Sequence, residues 1–384
     1  MRVLHVSDCY LPRLGGIETQ VHHLARRQLA AGYAVEVLTA TPRARHDRTA
    51  FEVIDGVGVH RAVADLPYEV PVHPRAGTEV SRALSRAREA GQAYDVAHVH
   101  TGVVSQFAYA AMPALLDAAM PVVVTVHSMW GPAAVLLRPL DRLVGWSRRP
   151  IVISAVSAVA AAPLRRAGAA VRVIPNGVDP SDWRPDPLPR NDSEVVIAAV
   201  MRLAPRKRGI ALLRALHAVR GRLASEVRLR ALIVGEGPDR RRLERYLDGP
   251  GAAVGMRDWV ELPGRWDATA IRELYRRADL FVSAAELESF GIAALEARTA
   301  GIPVVARDST GVGEFVRHDV HGLLVPDDAQ LADAVLALAR DPARRARMAE
   351  AARTEPPPTT WDVVLQQCDT VYRDAIALRH PTPG

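Results

Sequence analysis

Three stretches of this 384-residue chain hold side chains whose types and spacing suit the handling of a diphosphate. The first is Val200-Met201-Arg202-Leu203-Ala204-Pro205-Arg206-Lys207-Arg208-Gly209, with four cations just after an apolar, strand-like run. A pair of cations can neutralise a diphosphate and stabilise it as a leaving group. The plain alternative is a solvated charge run at a helix start, yet cations there oppose the helix dipole, a cost that an anionic ligand relieves. Lys207 is also the one lysine among 49 basic residues. Where Arg fills every other cationic position, a compact ammonium invites a reason beyond chance.

The second stretch runs from Ala285 to Ala306 and holds Glu288-Ser289-Phe290-Gly291-Ile292-Ala293-Ala294-Leu295-Glu296. The pattern predicts a helix from near Phe290 to Gly301, with Glu288 and Glu296 eight residues apart. At about 1.5 Å rise per residue that is on the order of 12 Å, comparable to the reach from sugar ring to ribose in a nucleotide sugar. Free amides of Phe290, Gly291 and Ile292 would point between them, where a diphosphate lies. A carboxylate such as Glu296 can grip a ribose diol; the alternative is a surface helix with two solvated acids. The third stretch follows Asp8, where Leu14-Gly15-Gly16-Ile17-Glu18 precedes a helical repeat. Gly15 and Gly16 let backbone approach an anion at a helix N-terminus, or serve a plain strand–helix turn. The order is not G-x-G-x-x-G, which argues against an ordinary dinucleotide site and a nicotinamide dehydrogenase.

Histidines complete the inventory. His98 and His100 lie two apart on a predicted strand and share a face, with no third ligand spaced nearby, so no metal site is expected. His100, at the strand end, is an acceptor-cleft candidate, as is Asn176. The chain has no Asp-x-Asp pair, so fixed cations and helix amides must do the work of a chelated metal. It has no Gly-x-Ser-x-Gly elbow, so hydrolase chemistry lacks support.

These residues need a scaffold. Apolar, β-branched runs recur at Arg2–Ser7, Ala34–Thr39, Val57–Ala62, Asp95–His100, Pro121–Val126, Ile151–Val156 and Val171–Pro175, with helix-like segments such as Thr19–Ala31 between several of them. A Pro- and Asp-rich stretch from Pro175 to Asp192 has linker composition. The series resumes at Val195–Val200, Leu229–Val234, Trp259–Leu262, Leu280–Ser283, Pro303–Ala306 and Gly322–Val325. Continuous apolar strands alternating with helices imply parallel sheets covered on both faces. The chain therefore reads as α/β, with two doubly wound, Rossmann-like domains facing across a cleft. Residues 1–178 form the first, 179–360 the second. Residues 361–384 form a helix whose apolar face holds Trp361, Val364, Leu365, Cys368, Val371, Tyr372 and Ala375.

Composition narrows the function. The net charge of +6 is spread along the chain and makes no basic stripe, so nucleic acid is not an expected partner. Two cysteines cannot build a disulfide framework and point to a reducing compartment. With no secretory signal and no long apolar run, a cytoplasmic location is expected. The stretch Val135–Pro150 mixes Leu136, Leu137, Leu140, Leu143, Val144 and Trp146 with Arg138, Arg142, Arg148 and Arg149. It suits peripheral contact with the inner membrane surface, or packing against the domain.

Glu288 through Glu296, followed by Ala297, Gly301, Pro303, Val304 and Val305, closely resembles the E-x7-E motif of the retaining GT-B glycosyltransferases of family 4. Other pieces fall in that family's order. Gly15-Gly16-Ile17-Glu18 resembles its N-terminal glycine loop, and Pro175-Asn176-Gly177-Val178-Asp179 its interdomain turn. Arg202-Leu203 with Lys207 is similar to its R-L-x-x-x-K pattern; Val234-Gly235-Glu236-Gly237-Pro238 and Gly322-Leu323-Leu324-Val325 also fit. The terminal helix is similar to one that crosses back onto the first domain. The resemblance implies that Arg202 and Lys207 hold the donor's diphosphate and that Glu296 binds the ribose. Glu288 with the amides of Phe290, Gly291 and Ile292 would position the transferred sugar. His127, in Val124-Thr125-Val126-His127-Ser128, would approach the sugar's hydroxyls. Met201 stands where the family often has Gly, and Thr310 and Gly313 depart from its G-G-x-P-E loop, although Glu314 matches. The implied activity is transfer of a hexosyl unit from GDP-mannose or a UDP-hexose to a hydroxyl of a glycan, lipid or small metabolite. The anomeric configuration would be kept, and neither metal nor cofactor is called for. A sugar-nucleotide epimerase, or a non-catalytic nucleotide-sugar-binding protein on the same fold, are the rival readings.

Overall fold

The computed structural model describes residues 1–13, 15–44, 47, 49–64, 73–130, 139, 149–184, 186, 188, 193–223 and 227–379. Nearly all of Val135–Pro150, the stretch weighed for membrane contact, lies outside these residues. No described helix is long and apolar enough to cross a membrane.

The chain divides into two compact units, Met1–Gly177 with Trp361–Gly384, and Val178–Thr360. Val178 joins the second through its amide, which donates to Thr359 O at 3.0 Å.

In the first unit, β1 (Arg2–Ser7), β2 (Ala34–Thr39), β3 (Phe51–Ile54), β4 (Val57–Arg61), β5 (Val96–Thr101), β6 (Val122–Val126), β7 (Ile151–Ala155) and β8 (Val171–Val173) form one sheet. Their order is β3-β4-β2-β1-β5-β6-β7-β8. All neighbours pair in parallel except β3 with β4. The continuous apolar runs have the cause inferred for them, since every residue of β5 is buried. Strand β3 was not anticipated. Its sign was Asp55-Gly56, whose φ values of 50° and 84° suit a two-residue hairpin turn.

Helices Ala76–Glu89 and Gln106–Asp117 bury Val80, Leu84, Phe107 and Leu115 in one core with Leu4, Val6 and Val99. A separate core joins Val3, Val96, Val123 and Val152 to the C-terminal helix Trp361–Arg379. That helix buries Trp361, Val364, Cys368, Val371, Tyr372 and Ala375, the three-to-four-residue spacing of an amphipathic face. Trp361 fits because position 177 is glycine: a Cβ there would lie 2.4 Å from its indole.

In the second unit, β9 (Glu194–Val200), β10 (Arg228–Val234), β11 (Val260–Gly264), β12 (Leu280–Val282), β13 (Val304–Arg307) and β14 (Gly322–Val325) form a parallel sheet. The order is β11-β10-β9-β12-β13-β14. The chain runs outward from β9 to β10 and β11, then returns to β12 on the other side. The same reversal falls between β1 and β5 in the first unit. At such a switch point the loops leaving two neighbouring strands part in opposite directions and open a crevice at the strand ends.

Replacing Trp361 by alanine should cost the first unit about 3–5 kcal/mol, the range for truncating a buried tryptophan. Urea unfolding of the full chain measures it, and a midpoint unchanged from the parent would contradict this packing.

Candidate active site

Arg202 and Lys207 leave the carboxyl end of β9. Their loop is held by backbone lying on backbone. Met201 N donates to Val234 O at 3.0 Å, Leu203 N to Glu236 O at 2.9 Å, and Asp239 N to Leu203 O at 2.9 Å. This approach requires Gly235 and Gly237. A Cβ at 235 would fall 1.8 Å from Met201 O, and one at 237 would fall 2.2 Å from Leu203 O. Both glycines also have positive φ, 140° and 157°. The glycine pair after β10 thus fixes the segment that carries Arg202, whose residue is exposed.

The cation run then divides by role. Residues Pro205–Lys207 make a single tight turn, and Arg208, at φ 54°, precedes the helix Gly209–Arg220. The Arg208 guanidinium takes both carboxylate oxygens of Asp328 at 2.8 Å and reaches Glu286 at 2.8 Å. Arg208 therefore ties elements together, while Lys207 turns toward the β12 loop, where its ammonium donates to Glu288 Oε2.

Beyond β12, Gly291 at φ 96° precedes the helix Ile292–Thr299, whose first internal bond runs from Leu295 N to Gly291 O at 3.0 Å. The expected start near Phe290 is therefore corrected to Ile292: Gly291 in the left-handed region breaks the helical path. Glu288 stands in the loop before it, so an eight-residue helical rise does not separate the two acids. Only the steps from Ile292 to Glu296, about 6 Å, are helical. Glu296 lies one turn in, and desolvation pushes its carboxyl up to about 8. The amides of Ile292, Ala293 and Ala294 precede the first internal bond and form the positive end of the helix.

The Ser309–Gly313 loop seats against this site. Gly311 N donates to Glu288 O at 2.9 Å, and a Cβ on Gly311 would fall 2.2 Å from Ser289 O. Thr310, one of the departures from the family pattern, donates to Arg307 O at 2.7 Å and accepts from Val312 N at 3.4 Å. At Gly313, the other departure, the nearest atom to a Cβ would be 3.8 Å away, so glycine is not demanded there by space.

In the first unit, Gly15 and Gly16 open the helix Gly16–Ala30, and Glu18 folds back over that start. A Cβ on Gly15 would meet Glu18 Oε2 at 2.4 Å. Asp8, at the end of β1, accepts from Phe107 N at 2.8 Å, and burial pushes its carboxyl up to about 6.

His100 and His127 meet: His100 Nδ1 and His127 Nε2 are 3.0 Å apart. Sequence reasoning missed His5. Its β1 position is in register with His98 of β5, and its Nδ1 lies 2.9 Å from His100 Nε2. The expectation that no third histidine joins His98 and His100 is thereby corrected, since ligand atoms of all three lie within 4.8 Å of one another. Every ring nitrogen of the three nevertheless has a protein partner: Gln28 for His5, Tyr372 and Thr125 for His98, and a neighbouring histidine for the rest. Burial holds His5 and His127 down to about 4, and His98 and His100 well below the ordinary value, so all four rings are neutral at pH 7. Asn176 is buried and lines a small cavity together with His98, His100, Thr125 and His127.

The chain is similar to several known proteins. Residues 14–182 match the family model described as Glycosyltransferase Family 4, and residues 182–355 match Glycosyl transferases group 1. A D-inositol 3-phosphate glycosyltransferase of Xylanimonas cellulosilytica is 30% identical over 408 residues, covering 95% of this chain and 93% of its own. A GDP-mannose-dependent alpha-(1-6)-phosphatidylinositol monomannoside mannosyltransferase of Mycobacterium tuberculosis is 26% identical over 372 residues, 92% of either chain. Among solved structures, Anabaena HepE in complex with UDP-glucose superposes with a TM-score of 0.74 at 20% identity, covering 97% of this chain and all of that one.

The perturbed groups make stability depend on pH in opposite senses. His5 and His127 titrate near 4 folded against 6.5 ordinarily, so each contributes about 3 kcal/mol that is present above pH 6.5 and lost as pH falls toward 4. Asp8, bound to its proton up to about pH 6, offsets part of that loss. Glu296 titrates near 8 folded against 4.5, so its contribution is full below pH 4.5 and lost as pH rises through 8. The Glu296→Gln variant should therefore melt higher than the parent at pH 9 and nearly equal to it at pH 5. Thermal melts at the two pH values measure this, and equal midpoints at pH 9 would contradict it.

Proposed function

Because this chain belongs to the GT-B glycosyltransferases that join a family 4 domain to a group 1 domain, and is a hexosyltransferase using a nucleotide sugar, we propose how its own residues carry the transfer. The donor is GDP-mannose or a UDP-hexose, the acceptor an inositol-type polyol hydroxyl, and the product keeps the donor's anomeric configuration. The relatives support this choice of ligands, since one is named for inositol 3-phosphate and another for GDP-mannose. The reaction belongs in the cytoplasm, in keeping with two cysteines left unpaired.

The observation that carries the reading is the reversal between β9 and β12, with Arg202 and Lys207 on one side and Glu288 on the other. Without donor, Glu288 holds the Lys207 ammonium. An incoming diphosphate offers more negative charge and draws Lys207 to itself, leaving the Glu288 carboxylate to accept from sugar hydroxyls. Arg202, Lys207 and the amides of Phe290, Gly291 and Ile292 then take up the charge that grows on the leaving group. The bond from the anomeric carbon to the diphosphate breaks while the acceptor oxygen bonds on the same face. The acceptor's proton passes to the departing phosphate oxygen. Charge on the diphosphate is met by these fixed groups, so we propose that the reaction is metal-independent. His127 meets the sugar's hydroxyls, Gly15 and Gly16 approach the donor, and His100 and Asn176 shape the acceptor side.

Glu296 grips the ribose diol as a carboxylate. Its carboxyl is protonated at pH 7 before binding, so gripping two hydroxyls releases a proton. Nucleotide affinity should therefore rise from pH 6.5 to about 8 and then level, as calorimetry with UDP and GDP would record; a flat profile opposes the ribose role.

Lys207→Ala and Glu288→Ala should each lower turnover by about 10²–10³-fold in assays with GDP-mannose or UDP-glucose and inositol phosphate acceptors. EDTA should leave the parent's rate unchanged. Near-normal turnover in both variants would refute the site, and sugar inversion at a ring carbon without acceptor would favour the epimerase.

A further inference from the structure

Within the first unit, the helix Gly16–Ala30, strands β5 and β6, the Pro175-Asn176 turn and the start of the C-terminal helix enclose a half-open recess. It has room for about one water-sized group. Gln20, His98, His100, Thr125 and Asn176 line it together with apolar side chains. Most of the polar groups are spent on one another. His98 bonds to Tyr372 at 2.8 Å and to Thr125 at 2.6 Å, and Thr125 also to Ser154 at 2.6 Å. The ring nitrogens of His100 meet His5 at 2.9 Å and His127 at 3.0 Å.

Gln20 is the exception. The residue is 6% exposed, and its Oε1 is buried without a hydrogen-bond partner. Turning the carboxamide round does not cure this. Gly177 O only accepts, so the Gln20 nitrogen must face it, as it does at 3.4 Å, and the oxygen is left to the recess. A buried carbonyl oxygen without a donor is costly, and such groups are rare in folded proteins.

The recess narrows what can supply that donor. No Lys, Arg, Asp or Glu is among the described residues that line it, and burial keeps its histidines neutral at pH 7. A phosphate brings charge and lone pairs and has nothing to meet there. An uncharged hydroxyl brings a proton and matches the space.

We propose that Gln20 is a substrate-binding residue: its Oε1 accepts a hydrogen bond from a hydroxyl of the polyol acceptor, which enters the recess while any phosphate on that acceptor stays outside. The inference rests on the reading that His100 and Asn176 shape the acceptor side, and it deepens that reading. The hydroxyl held by Gln20 is not the one that is glycosylated. The reacting hydroxyl gives its proton to the departing phosphate oxygen, and a carboxamide oxygen is too weak a base to share in that transfer. The acceptor therefore carries one hydroxyl to react and another to be held.

Steady-state kinetics of the full chain test this, with GDP-mannose or UDP-glucose as donor and myo-inositol 3-phosphate as acceptor. Analogues in which single ring hydroxyls are replaced by hydrogen or fluorine complete the series. On the wild-type chain one non-reacting position should stand out. Removing its hydroxyl raises the acceptor KM about tenfold, and fluorine, which fills the space but has no proton to give, loses at least as much. Gln20→Met should lower kcat/KM about tenfold through the acceptor KM alone, with kcat and the donor KM retained. It should also cease to distinguish myo-inositol 3-phosphate from the deoxy analogue at that position.

An acceptor KM unmoved by Gln20→Met would mean that water alone satisfies the oxygen, and would overturn the inference. So would a rise in the donor KM instead, or losses from variant and analogue that simply add. Should Gln20→Met fail to fold, the analogue series on the wild-type chain decides: equal KM at every non-reacting position overturns the inference. Transfer to inositol at a KM indifferent to Gln20 refutes this inference alone, whereas no transfer to any polyol refutes the functional reading and the inference with it.

Discussion

A sheet buried on both faces leaves its polar chemistry only one kind of place to go. Each strand of the second unit runs parallel to its neighbours, so the chain crosses back before each next strand, through an α-helix in every case but β13 to β14, and all carboxyl ends lie along one rim. At most points of that rim the next strand's loop closes over the last. Between β9 and β12 the connections diverge, and the loops beside them pack backbone on backbone. The glycine contacts show how far this is carried: Gly235 and Gly237 rest on Met201 and Leu203, and Gly311 rests on Ser289, with no space for a Cβ at any of them. Three loops are thereby fixed by peptide groups rather than by side chains. Arg202, Lys207 and Glu288 need not be spent on holding their own loops.

Charge is handled by the same economy. Of the consecutive cations Arg206, Lys207 and Arg208, Arg208 is consumed by Asp328 and Glu286. Lys207 donates to Glu288. The pair is only part-buried, so exchanging one anion for another does not leave an ion stranded in an apolar interior. Glu296 shows the opposite device. With no cation on it, its carboxyl stays protonated in its apolar surroundings, and the fold bears that cost when the proton leaves. Glu296 thus destabilises the protein above neutral pH from a position one turn inside the helix Ile292–Thr299.

Much of this was legible in the residues. Continuous β-branched runs marked the strands to within a residue or two, because a parallel strand must be apolar on both faces. The lone Lys207 and the acids Glu288 and Glu296 drew attention in the sequence as exceptions to their local composition, and the structure pairs Lys207 with Glu288. What stayed hidden depended on register or on backbone torsion. His5 joins His100 across 95 residues, a meeting that exists only once β1 lies beside β5. Gln28 sits in an ordinary amphipathic helix and gains meaning from Tyr372, 344 positions away. The helix was placed too early because Gly291 looked like any small residue, whereas its positive φ ends one path and starts another. Strand β3 escaped because its Phe51 and Val53 face solvent, although Asp55-Gly56 announced the turn.

The two units solve opposite versions of one electrostatic problem. In the second, the ion pairs of Lys207 with Glu288 and of Arg208 with Glu286 are part-exposed. In the first, four histidines are buried where water would otherwise average their protons between nitrogens. Burial lowers their basicity far enough to keep each ring neutral, but neutrality alone leaves two tautomers open to each. Their partners within the sheet exist only through strand pairing, because His5, His98 and His100 meet where β1 lies beside β5.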